Sequence, residues 1–174
     1  MEYVKQHTQH PQIHIRSATP NDHHAIWSIN QAGWQAYSHI FTAAEVQRVF
    51  SHGASVYASW AQYRGVSLHT FVAETDGQVV GFVSMAMLWG KPDGEITALY
   101  LLPEYQGYGI GRVLWQHGIN NLRAIKCPSA WVWVLARAPA VAFYEHMGCV
   151  RAMQGTYQVD DHTEIAYGYR LHLS

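Results

Sequence analysis

The 174 residues suffice for one domain with a sizeable core, and a composition of 49% hydrophobic and 13% aromatic residues excludes an intrinsically disordered chain. A formal net charge of −1 and a pI near 6.9 exclude a strong global field, so neither nucleic acid nor an anionic membrane is expected as a partner. The longest apolar run, Val79 to Trp89, falls short of the roughly 20 residues a membrane span needs and is broken by Gly81 and Ser84.

Residues 1–11 are polar and end on Pro11, which reads as a flexible N-terminal arm; residues 12–174 read as a single domain. The first residues lack the apolar stretch of a signal peptide. Cys127 and Cys149 form no CxxC pair, so a reducing, cytoplasmic compartment is expected and both are read as buried thiols. The 12 histidines are scattered without HExxH-like spacing, so no metal is expected.

In chain order, the alternation from Gln12 to Ala18 predicts a strand. Thr19-Pro20-Asn21-Asp22 is a helix-start signal for a helix carrying Ile26, Ile29, Trp34 and Tyr37. Thr42-Ala43-Ala44-Glu45 is a capping box that opens a second helix with Val46 and Phe50, and further helix is read between Ser51 and Ser67. Residues 70–74 and 78–88 flank Asp76-Gly77 as a β-hairpin. After a turn at 90–94, Glu95–Leu102 is a nearly continuous apolar strand.

A glycine cluster then opens a helix whose apolar stripe is Ile110, Val113, Leu114, Leu122 and Ile125. Ala130–Leu135 is a strand with Trp131 and Trp133 on one face, read first as core and second as the wall of an acceptor groove. A helix from Pro139 to His146 ends at Gly148, and strands at about 149–158 and 162–173 flank Asp160-Asp161. The order β-αα-βββ-α-β-α-ββ predicts an α/β fold: a mixed, mostly antiparallel sheet of about seven strands with helices on both faces.

The chemistry concentrates at Gln106-Gly107-Tyr108-Gly109-Ile110-Gly111-Arg112, a strand–turn–helix junction. Glycines let main-chain N–H groups converge, and the helix N-terminus adds partial positive charge, so the turn suits a diphosphate. Arg112 adds a cation at the same end. The glycine spacing and the mid-chain position fit a dinucleotide-binding loop poorly, and no Gly-Lys-Ser/Thr closes it as a Walker loop.

The stretch Tyr100-Leu101-Leu102-Pro103-Glu104-Tyr105-Gln106-x-x-Gly109-x-Gly111 resembles the acetyl-CoA signature of the GNAT (GCN5-related N-acetyltransferase) superfamily. Ala140-x-x-Phe143-Tyr144-Glu145-x-Met147-Gly148-Cys149 is similar to that family's second block, and Gly33-Trp34-Gln35-Ala36-Tyr37 resembles its first-helix pattern more loosely. The resemblance implies acetyl-CoA as co-substrate and an acetyl group passed to a primary amine by direct attack in a ternary complex. It implies main-chain contacts from Leu99, Tyr100 and Leu101 to the pantetheine arm, and amides of Gly107, Tyr108, Gly109, Ile110, Gly111 and Arg112 on the diphosphate. By the same resemblance Tyr144 protonates the departing thiolate, and Glu95 is the candidate base.

Two positions depart from the family: Arg137 stands where many members carry a cofactor-contacting Asn, a place from which it would reach phosphate, and Cys149 replaces a usual Phe. A small-molecule amine is the first choice of acceptor, with a mouth of Trp34, Tyr37, Trp89 and Glu95; a protein or peptide amine, or a non-catalytic acyl-CoA-binding regulatory module, are the alternatives. A homodimer is left open.

Overall fold

The computed structural model describes residues 12–51, 69–87 and 90–173. The expected N-terminal arm, almost all of the helix read between 51 and 67, and Trp89 lie outside the described residues.

Strand β1 (His14–Ser17) leads through a 3-10 turn (Pro20–Asp22) into helix α1 (His23–Trp34), and a second 3-10 turn (Gln35–Tyr37) precedes helix α2 (Ala43–Val49). Both starts follow from local chemistry. The Thr19 N–H and hydroxyl donate to Asp22, and the Thr42 N–H and hydroxyl donate to Glu45. Asp22 is buried and receives the Arg16 guanidinium, which also reaches Glu74 on the neighbouring strand; the Arg16 contact holds the Asp22 carboxyl far below the usual carboxylate range.

Strands β2 (His69–Thr75), β3 (Gln78–Met87) and β4 (Gly94–Leu101) form a meander. At the β2–β3 turn both Asp76 and Gly77 have positive φ, the conformation a tight hairpin demands. Helix α3 (Ile110–Ala124), strand β5 (Ser129–Leu135), helix α4 (Ala140–His146) and the hairpin β6 (Val150–Val159)–β7 (His162–His172) complete the chain.

The strands make one seven-stranded sheet in the order β1-β2-β3-β4-β5-β7-β6, and β4–β5 is its parallel pair. Ile110, Leu114, Ile119 and Leu122 of α3 pack on one face against residues such as Val83, Met85 and Ile96; Ile26 and Ile29 of α1 pack on the other against Val72 and Phe82. Each such side chain contributes about 1.5–3 kcal/mol when fully buried. The stripe of α3 differs from the sequence expectation at two places. Val113 and Ile125 are about half exposed, and Trp115 and Ile119 are buried instead, because the stripe follows the sheet contact and not every apolar residue of the helix.

Two irregularities shape the functional end. First, β4 and β5 pair only from Gly94–Ile96 to Ala130–Val132, after which both run on without each other. Second, the β3–β4 register jumps so that Ser84 faces Ala98 and Met85 faces Ile96, leaving Thr97 as an extra residue in β4. The bulge corrects a face assignment. Plain alternation puts Glu95, Thr97, Leu99 and Leu101 on one face. In the structure Gly94 and Ile96 face α3, whereas Ala98 and Tyr100 face α1. Glu95 therefore shares the α1 face with Ala98 and Tyr100, and Leu99 and Leu101 point to the α3 side.

Candidate active site

A cavity of about 480 Å³ lies alongside the end of β4 that runs on beyond its pairing with β5. Its walls come from β4 (Leu99, Tyr100, Leu101), the glycine turn (Gln106, Gly107, Gly109, Gly111, Arg112), the end of α1 with the following turn (Gly33, Ala36, Tyr37), and α4 with its flanks, including Phe143, Tyr144 and Met147.

The β4 wall presents its main chain. The Leu102 N–H donates to Val80 O across to β3, so by alternation the polar groups of Leu101 and Leu99 point the other way, into the space β5 has left. Gln106 Nε2 donates to the Leu101 carbonyl at 3.3 Å, bracing the turn against the strand.

The turn combines the features that an anion site needs. Gly107 and Gly109 have φ of 83° and 80°, and a Cβ at either would meet nothing within 4 Å. Gly109 is the N-cap of α3 and no side chain caps the helix. The first N–H groups of a 15-residue helix thus face open space with the positive end of its dipole behind them. Arg112 lines the same end. A diphosphate fits this cradle by charge, by donor supply and by room.

Tyr144 is 7% exposed, on α4, with its ring 5.5 Å from Trp115 and 5.4 Å from Phe143. Burial pushes its phenol well above the ordinary range, with the neighbouring Tyr37 and Cys149 adding to the effect, so the hydroxyl keeps its proton at all physiological pH. Burial also raises Tyr37, partly offset by a hydrogen bond from Tyr100. The Cys149 thiol is pushed up to about 11 by burial and Cys127 is raised too, so both stay neutral and weakly nucleophilic.

Of the residues expected from sequence, Leu99, Tyr100, Leu101, Gln106, Gly107, Gly109, Gly111, Arg112 and Tyr144 converge on this cavity. Four do not line it. Tyr108 points its ring to solvent, and Ile110 sends its side chain into the core. Glu95 lies farther back on β4, beside Trp131 of β5. Arg137 is committed elsewhere: its guanidinium pairs with Glu164 of β7, and its carbonyl contacts His39 at 3.0 Å. Glu164 also meets His162 Nε2, whose Nδ1 contacts Glu45 of α2. Phe143, Met147, Gly33 and Ala36 line the cavity without having been singled out as site residues; each lies within a motif read from sequence, which is the signal that points to them.

Among the described residues, no helix is long and apolar enough to cross a membrane. A profile of the acetyltransferase (GNAT) family matches residues 20–149. Mycothiol acetyltransferase of Streptomyces griseus subsp. griseus is 37% identical over 91 residues, which is 52% of this chain and 28% of that protein. The chain spans between 26% and 54% of the length of the curated relatives it matches. The fold superposes on that of a GCN5-related N-acetyltransferase from Rhodopseudomonas palustris with a TM-score of 0.77, at 20% identity, covering 96% of this chain and 99% of the other. It superposes on PaiA N-acetyltransferase from Thermoplasma acidophilum in complex with coenzyme A with a TM-score of 0.68, at 15% identity, covering 92% and 99%.

Proposed function

The chain belongs to the acetyltransferase (GNAT) family, and from that premise we propose that it is an acetyl-CoA-dependent N-acetyltransferase acting on a small-molecule primary amine. The observation that carries the proposal is one cavity that joins an uncapped helix N-terminus, the side of β4 that β5 has left and a buried neutral phenol. Acetyl-CoA supplies the activated thioester.

The residues then divide the work. Amides of Gly107 to Arg112 hold the diphosphate, and the edge of Leu99–Leu101 holds the pantetheine amides as a further strand would. The Leu101 N–H stabilises the carbonyl oxygen as it gains charge. The acceptor nitrogen forms the new N–C bond as the C–S bond breaks; its surplus proton passes to Glu95, through water, and the Tyr144 hydroxyl protonates the leaving sulfur. Two neutral, buried cysteines support direct transfer over an acyl-enzyme. A small acceptor is favoured by the likeness to a mycothiol acetyltransferase. Two unpaired thiols support a cytoplasmic location.

The test is thiol release from acetyl-CoA across a panel of small amines and of peptides with free N-termini or lysines. Turnover confined to peptides sinks the small-molecule choice. Tight acetyl-CoA binding with no turnover on either panel would instead identify a non-catalytic acyl-CoA-binding module.

A further inference from the structure

The indole of Trp133 is 43% exposed although it sits in the middle of a central strand. Tryptophan is among the largest apolar side chains, and a central strand normally buries it. Its neighbours Val132 and Val134 turn into the core with α3 and α4, so Trp133 lies on the opposite face, with Trp131. The far edge of its six-membered ring comes within 3.2 Å of where a Cβ would stand on Gly168 of β7. It comes equally close, 3.2 Å, to the corresponding point on Gly155 of β6, one strand farther. A ring that touches both strands lies across β7 instead of standing off the sheet. Two glycines on adjacent strands make the floor, and a side chain at either would press on the indole. One ring face is thus backed by main chain, and the exposure belongs to the other.

The position ties this platform to the cleft. Val132 shares the last rung with β4, so Trp133 is the first residue of β5 past the point where the strands part. Glu95 pairs with Trp131 on that rung ladder and shares the face. Trp131 itself is occupied: its Nε1–H donates to Asp93 at 3.3 Å and the Arg170 guanidinium sits 5.6 Å from its ring centre. That nearby cation disfavours a second cationic centre over the neighbouring indole.

We infer that Trp133 is a specificity-determining residue that receives the acceptor, and that the acceptor is a ring-bearing small molecule with a primary amine. The ring face stacks on the indole and the amine reaches the cleft. A rigid ring covers the indole face without freezing rotatable bonds, whereas an open chain covers less and loses more freedom. An aminosugar, through the C–H groups of a ring face, and an arylalkylamine, through its aromatic face, both cover an indole in this way. This inference rests on the N-acetyltransferase reading and refines its acceptor.

The experiment is calorimetry in two stages. Coenzyme A is titrated first; if it does not bind, the enzyme reading falls and this inference with it. CoA-saturated protein is then titrated with glucosamine, 2-phenylethylamine and n-pentylamine, for the wild type, Trp133→Ala, Trp133→Phe and Gly155→Ala, with thermal unfolding confirming that each variant is folded. We expect at least one ring amine to bind the wild type, about 3- to 10-fold weakening in Trp133→Ala, partial recovery in Trp133→Phe, and weakening in Gly155→Ala, where the indole remains but its floor is raised. Affinity for n-pentylamine and CoA stays unchanged. Binding of glucosamine alone identifies a sugar carrier, and of 2-phenylethylamine alone an aromatic one. Equal losses for ring and chain amines, or no ring amine bound by the wild type, overturn the inference while CoA binding leaves the enzyme reading standing.

Discussion

Replacing Tyr144 by Phe removes one oxygen from the cavity and leaves the ring packed against Trp115 and Phe143. Burial keeps the phenol protonated, as the proposed donor role requires, and no other hydroxyl on α4 lines the cavity. The variant should lose 10-fold or more in kcat with acetyl-CoA affinity retained, taking ~10²–10⁴-fold as the usual scale of acid catalysis; unchanged kcat in a thiol-release assay removes the assignment. Glu95 is a separate question at the same scale. The bulge at Thr97 turns it to the α1 face, so it can serve an amine arriving from that side but not a group on the α3 side. Glu95→Gln should lower kcat and change the pH–rate profile, and an unchanged kcat and profile assigns the base elsewhere.

At the scale of elements, the proposed function places the cofactor's diphosphate at the turn before α3. Gly109 is the N-cap in a left-handed conformation, with open space where a Cβ would go. Gly109→Ala thus costs about 1–2 kcal/mol of backbone strain with no steric clash inside the protein. It also puts a methyl group into the space the diphosphate needs. The expected outcome is about 10-fold weaker acetyl-CoA binding by calorimetry and a small drop in unfolding midpoint; retained affinity would place the diphosphate away from this turn. Strand β4 shows why a strand can be a ligand site. Its β3 side is laddered along its length apart from the bulge at Thr97, whereas its β5 side is laddered for three rungs only, so main-chain groups beyond Ile96 turn toward the cavity instead of toward β5.

For the molecule as a whole, α2 and the β6–β7 turn are joined by charge. His162 sits between Glu45 and Glu164, Glu164 also takes Arg137, and Arg48 meets Asp160 at 2.6 Å. Hydrogen bonds to Glu164 and then Glu45 raise the His162 pKa above its usual value. A raised folded-state value means that the stabilisation is fully present below the unfolded pKa of ~6.5 and fades as pH rises through the folded value. The urea midpoint of the wild type should exceed that of His162→Gln near pH 6, and the gap should close toward pH 9; a constant gap excludes protonation as its source. Local chemistry made most of this architecture readable in the chain. The capping boxes at Thr19 and Thr42, the Asp76-Gly77 turn, the glycine cluster and the period of α3 act over a few residues, so element order, fold class and the glycine turn before α3 are set by sequence alone. What distant strands do to one another is another matter. The Thr97 bulge, the parting of β4 from β5, the capture of Arg137 by Glu164 and the glycine floor under Trp133 each depend on residues of different elements, brought together only by the folded sheet. Periodicity specifies which way a side chain points along its own strand, but register and cross-strand neighbours are decided by the packing of the whole, and it is that packing which chose the faces of the candidate site.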